Sequence, residues 1–184
     1  GKSSDRALHT LIFDDPECRP FYYKNGKSFK DYHKEGEIFW HKYVTYTEGM
    51  SDYWDYSFFN VSVIRYADVL LLYAECLNDK GETTEAINII NKVRARVNVP
   101  ALPLTMSKAE VLKHLQDKER PCELALEGSR WYDLVRWGIV EETLKAHNKP
   151  FVENYVDTKH QLFPIPHSEF LLNPDWEQNP NYSK

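Results

Sequence analysis

Residues 119 to 138, Glu-Arg-Pro-Cys-Glu-Leu-Ala-Leu-Glu-Gly-Ser-Arg-Trp-Tyr-Asp-Leu-Val-Arg-Trp-Gly, constrain this chain more than any other stretch. Leu124, Leu126, Trp131, Leu134, Val135 and Trp137 supply an apolar side. Glu119, Arg120, Glu123, Glu127, Arg130, Asp133 and Arg136 recur at spacings of three and four, which places their side chains next to one another on a helix face. Gly128 followed by Ser129 punctuates the run, because Gly suits a helix C-terminus and Ser the next N-cap. The stretch predicts two short helices meeting at a corner held by ion pairs. Arg65, Asp68, Glu75, Arg94, Glu119, Arg120, Glu127 and Arg130 are expected to act structurally, several of them joining helices.

Upstream of this stretch the pattern is again helical. Ile64, Ala67, Leu71, Ala74 and Leu77 form a stripe in a helix predicted from Val63 to Asp79, and Tyr66, Leu70, Tyr73 and Cys76 widen it. Such a helix is buried on most sides. Lys80-Gly81 closes it, and a second helix follows from Thr83 or Thr84 to about Val97. So short a connection forces an antiparallel hairpin. Ser107 and Glu110 make a capping box for a third helix that reaches Glu119, where Pro121 is expected to kink it or force a restart. Helix is then expected from Pro121 to Glu127, from Ser129 to Trp137 and from Val140 to His147. The first 60 residues show turn signals and short aromatic pieces, predicting loops with at most a small hairpin. The proline- and asparagine-rich tail from Phe151 onward predicts an extended strap anchored by Phe163, Ile165, Trp176 and Tyr182. The expected fold is mainly α: irregular stacking similar to tetratricopeptide packing, with long loops and the C-terminal strap, but without a clean repeat. Two regions are expected, a loop-rich aromatic segment 1–62 and a helical region 63–184.

Composition narrows the function. The 184 residues carry 23 basic and 28 acidic side chains, a net charge of −5. That balance argues against a nucleic-acid binder, which needs a basic stripe. Cys18, Cys76 and Cys122 show no metal-ligand spacing and are expected as buried free thiols. His9, His33, His41, His114, His147, His160 and His167 form no ligand set and are read as surface or packing residues, so no metal or cofactor is expected. The longest apolar run, Val69 to Tyr73, is too short to span a membrane. Trp131 and Trp137 fall at helical spacing beside Leu134 and are read as core.

Four segments resemble the C-terminal part of the SusD/RagB family of outer-membrane glycan-binding lipoproteins. Arg65 to Glu75 is similar to the family helix RYADVLLLYAEA. Ala86-Ile87-Asn88 with Asn91 to Arg96 resembles its next helix. The 119–138 stretch is similar to ERR.ELA.EG.R..DL.RWG. The tail residues Pro164-Ile165-Pro166, Glu169, Asn173-Pro174 and Gln178 to Tyr182 resemble PIP..E…NP…QNPGY. Pro121 stands where the family usually has a basic residue, and Asn181 replaces a common Gly. The resemblance implies the C-terminal portion of a longer member, whose N-terminal part would cover the first apolar helix; this chain alone should therefore expose apolar surface there. It also implies capture of oligosaccharide or polysaccharide at the surface of the outer membrane for a SusC-like TonB-dependent transporter. Catalysis is not implied, and membrane attachment would run only through a lipid anchor this chain does not show.

Within that expectation the aromatic cluster Tyr53, Trp54, Asp55 and Tyr56 is the candidate ligand site. Flat rings stack on the apolar face of a sugar while the carboxylate bonds hydroxyls, and a loop before a rigid helix is held yet exposed. The bland alternative is that these rings pack on the first helix. Two other functions are weighed: a helical protein-interaction scaffold, and a carboxylate-based glycoside hydrolase using the glutamates of 119–127.

Overall fold

Gly81 decides how the helical region turns. Its φ of +89° lies in the left-handed range that glycine adopts without steric cost. There it ends α2 (Tyr66–Asp79), with the Gly81 amide bonded to Asn78 O and the Glu82 amide to Leu77 O. The chain reverses into α3 (Thr83–Ala95), giving the expected antiparallel hairpin. In this computed structural model residues 4–15, 28–31, 33–43, 60 and 62–183 are described. The chain forms two compact units, 1–128 and 129–184.

In the first unit, Ala67, Leu71, Ala74 and Leu77 of α2 pack on Ala86, Ile87, Ile89, Ile90 and Val93 of α3. Val111 and Leu115 close this core from α4 (Lys108–His114) and the turn that follows it. Two side-chain amides position the link between α3 and α4. Asn91 both donates to and accepts from the Leu102 backbone, at 3.1 and 2.7 Å. Asn78, almost fully buried, donates to Lys108 O at 2.9 Å. The Ser107–Glu110 capping box forms as the sequence predicts.

Pro121 interrupts the α-helical pattern, as the sequence predicts. Ahead of it residues Leu115–Glu119 widen into a π-helical turn, closed by the Arg120 amide on Leu115 O, and α-helix resumes beyond. The resumed helix is α5 (Arg120–Glu123), with Pro121 in its first turn. A proline cannot donate to the carbonyl four residues back, and a wider turn relaxes that demand. α5 stops at Glu123 rather than Glu127, since Leu126 (φ +63°) and Gly128 (φ +77°) enter left-handed conformations.

The N-terminal region holds more structure than its sequence pattern predicts. Ser4 caps a short helix, α1 (Asp5–Thr10). Strand β1 (Leu11–Ile12) pairs antiparallel with β2 (Phe39–Trp40), in register Leu11 with Trp40. The two strands are far apart in sequence, so they do not make a simple hairpin.

α2 is not buried on most sides. Tyr66 is 75% exposed and Tyr73 52% exposed, with Val69 and Leu72 also open to solvent, which is the apolar face expected of this chain by itself. Cys76 and Cys122 are exposed free thiols, contrary to expectation, because both lie off the buried stripes of their helices; Cys18 falls outside the described residues.

In the second unit, α6 (Arg130–Trp137) ends at Gly138 in a left-handed cap and leads into α7 (Val140–Ala146). Leu134, Val140 and Leu144 form a small core with Trp131 and Tyr155 packed on it. Trp131 and Trp137 are half-buried rather than fully enclosed. The tail is a strap that also contains helix: a 3-10 turn at Pro150–Asn154, α8 (Asp157–His160) and α9 (His167–Leu172). Pro150 and Pro166 stand at helix starts, where the missing amide costs nothing. Its buried anchor is Phe170, while Phe163 and Trp176 are exposed. Polar side chains stitch the strap. Gln178 exchanges hydrogen bonds with both backbone groups of Ile165, Asn179 donates to Phe163 O, and Tyr182 donates to Leu162 O.

The burial pattern of α2 predicts opposite outcomes for residues two positions apart. Leu71→Ala is expected to cost about 2–5 kcal/mol in urea unfolding, whereas Tyr73→Gln stays within about 0.5 kcal/mol.

Candidate functional site

The residues nominated by sequence, Tyr53, Trp54, Asp55 and Tyr56, lie outside the described residues. Two other arrangements carry the polar and aromatic chemistry that the structure does describe.

The first is a ladder of carboxylates. Glu119, at the end of the π turn, has no exposed surface. Arg6 of α1 donates to its Oε1 at 2.6 Å; Arg94 of α3 and His114 of α4 donate to its Oε2 at 2.5 and 2.9 Å. One turn on, Glu123 Oε1 accepts from Arg65 at 2.9 Å and Arg96 at 2.6 Å, while Arg6 Nε lies 3.0 Å from Oε2. Glu127 accepts from Arg65 Nε at 2.9 Å and from Lys42. Beside the ladder Arg120, itself buried, pairs with Asp68 at 2.8 Å. Burial by itself would raise the Glu119 carboxyl, yet the His114 hydrogen bond and the Arg6 and Arg94 guanidinium groups hold it down at about 2. Burial likewise opposes ionisation of Glu127, and the bonds from Arg65 and Lys42 overcome it and lower its pKa. For Arg65, burial works against the charge, and bonds to Glu127 and Glu123 raise its pKa nonetheless.

A glycosidase general acid needs a carboxyl raised toward neutrality and open to substrate. Glu119 and Glu127 are shifted the other way and are enclosed by cations. This arrangement is an ion-pair clamp between α1, the segment entering α2, α3, α4 and α5. The sequence identifies Arg65, Arg94, Glu119 and Glu127 as its members. It misses Arg6, Lys42, Arg96 and His114: Arg6 and Lys42 sit in a region without helical period, Arg96 lies just past the last turn of α3, and a histidine directly ahead of a π turn carries no local signal. The Ser4 cap ahead of Asp5 and Arg6 is the one feature that could have found α1.

The second arrangement is an aromatic depression of about 350 Å³ in the second unit. Trp131 and Tyr155 meet edge to face at 6.2 Å, and Tyr155 lies 5.7 Å from the His160 ring. Phe151, Phe163 and Tyr182 complete its walls. His160 Nδ1 accepts the Val156 amide at 2.8 Å, so the neutral ring carries its proton on Nε2 as a donor. Tyr155 Oη donates to Asp157 at 2.6 Å; burial and this carboxylate push the phenol up to about 12, and the same bond lowers Asp157. The Asn154 side chain stands at the exposed rim. Flat rings with a few fixed polar groups, at a volume near the lower end of small-ligand pockets, suit one or two sugar rings. Sequence reasoning assigned Trp131 to the core and Phe163 to the strap and read His160 as a surface or packing residue; only the fold brings them together. Among the described residues no cluster of His, Cys, Asp or Glu is arranged to hold a metal ion. No described helix is long and apolar enough to cross a membrane.

Comparison with known proteins defines the class. The sequence profile of the SusD family (SusD/RagB) matches residues 20–182. SusD-like protein P38 of Formosa agariphila is 37% identical over 130 residues, covering 67% of this chain and 25% of that protein. SusD-like protein P2 of the same organism is 31% identical over 131 residues, covering 67% and 26%. A crystal structure of a SusD superfamily protein from Bacteroides vulgatus superposes with a TM-score of 0.69 at 29% identity, covering 96% of this chain and 39% of that one. A SusD homolog from Bacteroides thetaiotaomicron gives 0.54 at 35% identity, covering 65% and 26%. The chain belongs to the SusD family. It spans about a quarter of the length of the curated relatives it matches.

Two outcomes follow from the ladder. Glu119→Ala leaves Arg6 and Arg94 facing a buried void and is expected to cost about 3–5 kcal/mol in thermal or urea unfolding. The folded-state pKa of Glu119, about 2, lies below its ordinary 4.5. Its stabilisation, on the order of 3 kcal/mol, is therefore complete above pH 4.5 and is lost as pH falls toward 2. Melting temperatures measured across that window should fall steeply for the native chain and more shallowly for Glu119→Gln.

Proposed function

We propose that this chain is part of a cell-surface protein that captures oligosaccharide or polysaccharide at the outer membrane and hands it to a SusC-like TonB-dependent transporter, without catalysing a reaction. The observation that carries this reading is membership of the SusD family over residues 20–182. Two physical features support it. The clustered carboxylates that a hydrolase would need are committed to arginines and lysine. Exposed aromatic rings with polar groups at hand occur instead, in a depression of small-ligand size.

Under this reading Tyr53, Trp54, Asp55 and Tyr56 form a shallow sugar-contacting surface. Trp54 stacks on the apolar face of a sugar ring, a neighbouring tyrosine assists, and Asp55 accepts hydroxyl hydrogen bonds. A flat ring on a loop costs little conformational entropy to order, and the contact needs no metal ion.

The test uses the complete protein and isothermal titration against a panel of oligosaccharides. Trp54→Ala is expected to weaken binding on the order of tenfold with an unchanged melting temperature. Undiminished binding, or a joint loss of fold and binding, would return Trp54 to a packing role. A complete protein that binds no oligosaccharide but retains a protein partner would favour the scaffold reading.

A further inference from the structure

The walls of the aromatic depression all come from the second unit. Every residue lining it falls between Trp131 and Tyr182. The strap that carries Phe163 is held by the end of the same chain, through Gln178 on Ile165 and Asn179 on Phe163.

The polar groups in the lining differ in what they leave free. The Tyr155 hydroxyl is held by Asp157 at 2.6 Å and by Gln161, which fixes its ring as a wall. The Trp131 indole N–H and the His160 Nε2–H have no hydrogen-bond partner among the described residues. Both are donors, so they favour a ligand with acceptor oxygens. No Asp, Glu, Lys or Arg lines the depression. Asp157 and Lys159, which adjoin it, are of opposite sign, and each is engaged by a tyrosine: Asp157 by the Tyr155 hydroxyl and Lys159 over the Tyr182 ring. A charged ligand group would lose its water there without an opposite charge in the lining to replace it. The charge of the lining thus matches an uncharged ligand. Two leucines narrow the ligand further. Leu144, almost fully buried, and Leu162, half exposed, lie among the rings. A hydroxyl set against them gives up its water without compensation, whereas a methyl group gains by burial.

We propose that this depression is a subsite for an uncharged sugar residue that carries a methyl group, as a 6-deoxy or an acetamido sugar does. The apolar face of the sugar lies on Phe163, its methyl group meets Leu144 and Leu162, and Trp131 and His160 donate to its oxygens. The proposal rests on the glycan-capture reading and narrows its ligand class, with residues other than those of the Tyr53–Tyr56 surface.

The experiment titrates the complete protein with two matched pairs of neutral probes: chitotriose with cellotriose, and methyl α-L-fucoside with methyl α-L-galactoside. Each pair sets a methyl-bearing substituent against a hydroxyl-bearing one. At least one methyl-bearing probe is expected to bind about tenfold tighter than its counterpart. The pair that shows the preference decides between the acetamido and the 6-deoxy sugar. Phe163→Ala should weaken that probe by about tenfold and keep the melting temperature, because the ring is 81% exposed and the bond from Asn179 goes to the Phe163 backbone. His160→Asn keeps an acceptor for the Val156 amide but loses the Nε2 donor, and should weaken the same probe severalfold. Three results overturn the subsite: equal binding within both pairs, methyl-probe binding that either variant leaves unchanged, or Phe163-dependent binding of N-acetyltyrosinamide tighter than that of any sugar probe. Oligosaccharide binding that still falls with Trp54→Ala then leaves glycan capture standing. Binding of none of the probes, together with none of the wider oligosaccharide panel, overturns both.

Discussion

Burying the charge of Glu119 is the condition on which the first unit depends. Taking a carboxylate out of water costs several kcal/mol even after relaxation, and the cost is met only with close, well-directed donors. Three such donors converge, and each comes from a different element: Arg6 from α1, Arg94 from α3 and His114 from α4. None of those elements can shift along its neighbour without leaving a buried charge unmatched. The π turn at Leu115–Glu119 belongs to the same solution. It carries the helix past Pro121 and delivers Glu119, Glu123 and Glu127 to the cations in succession.

The apolar core works differently. Ala67, Ala74 and Ala86 are small enough to let α2 and α3 approach, and Leu71, Ile87 and Ile90 fill the interface completely. This packing is tolerant of exchange among similar side chains, whereas the ladder is not. The hairpin therefore supplies most of the cohesion, and the ladder supplies register between elements distant in sequence. The exposed rings of Tyr66 and Tyr73 show that the hairpin uses only one side of α2 for this purpose.

What the sequence revealed follows the range of the interaction concerned. Local chemistry was legible: the apolar stripe of α2, the glycine turn at Gly81 and the Ser107–Glu110 box each lie within a few residues. Pairings over long separations were not. Arg6 reaches Glu119 across 113 residues and Lys42 reaches Glu127 across 85, with nothing in either segment to announce a partner. The tail shows the same limit. Its prolines correctly signal an extended course, but two of them open helical turns, and the latches from Gln178, Asn179 and Tyr182 become meaningful only when residues 162–165 lie alongside. The aromatic depression was hidden for that reason too, since Trp131 and Phe163 come from helix and strap.

The direction of the pKa shifts separates architecture from ligand chemistry. A carboxyl held near 2 inside a shell of guanidinium groups donates no proton at neutral pH, and its lone pairs are already occupied. Removing its cations to free it would strand the charge. Glu119 and Glu127 are thus bound to the fold by the same interactions that lower their pKa values. Rings have no such conflict: Trp131 and Tyr155 contribute one face to packing and still present another to a depression. Cations at the end of the ladder are intermediate, because Arg96 satisfies Glu123 with one part of its fork and keeps the remainder in solvent. In this fold the rings on the outer face of the aromatic core and Arg96 at the end of the ladder serve the structure and still keep part of their surface in solvent.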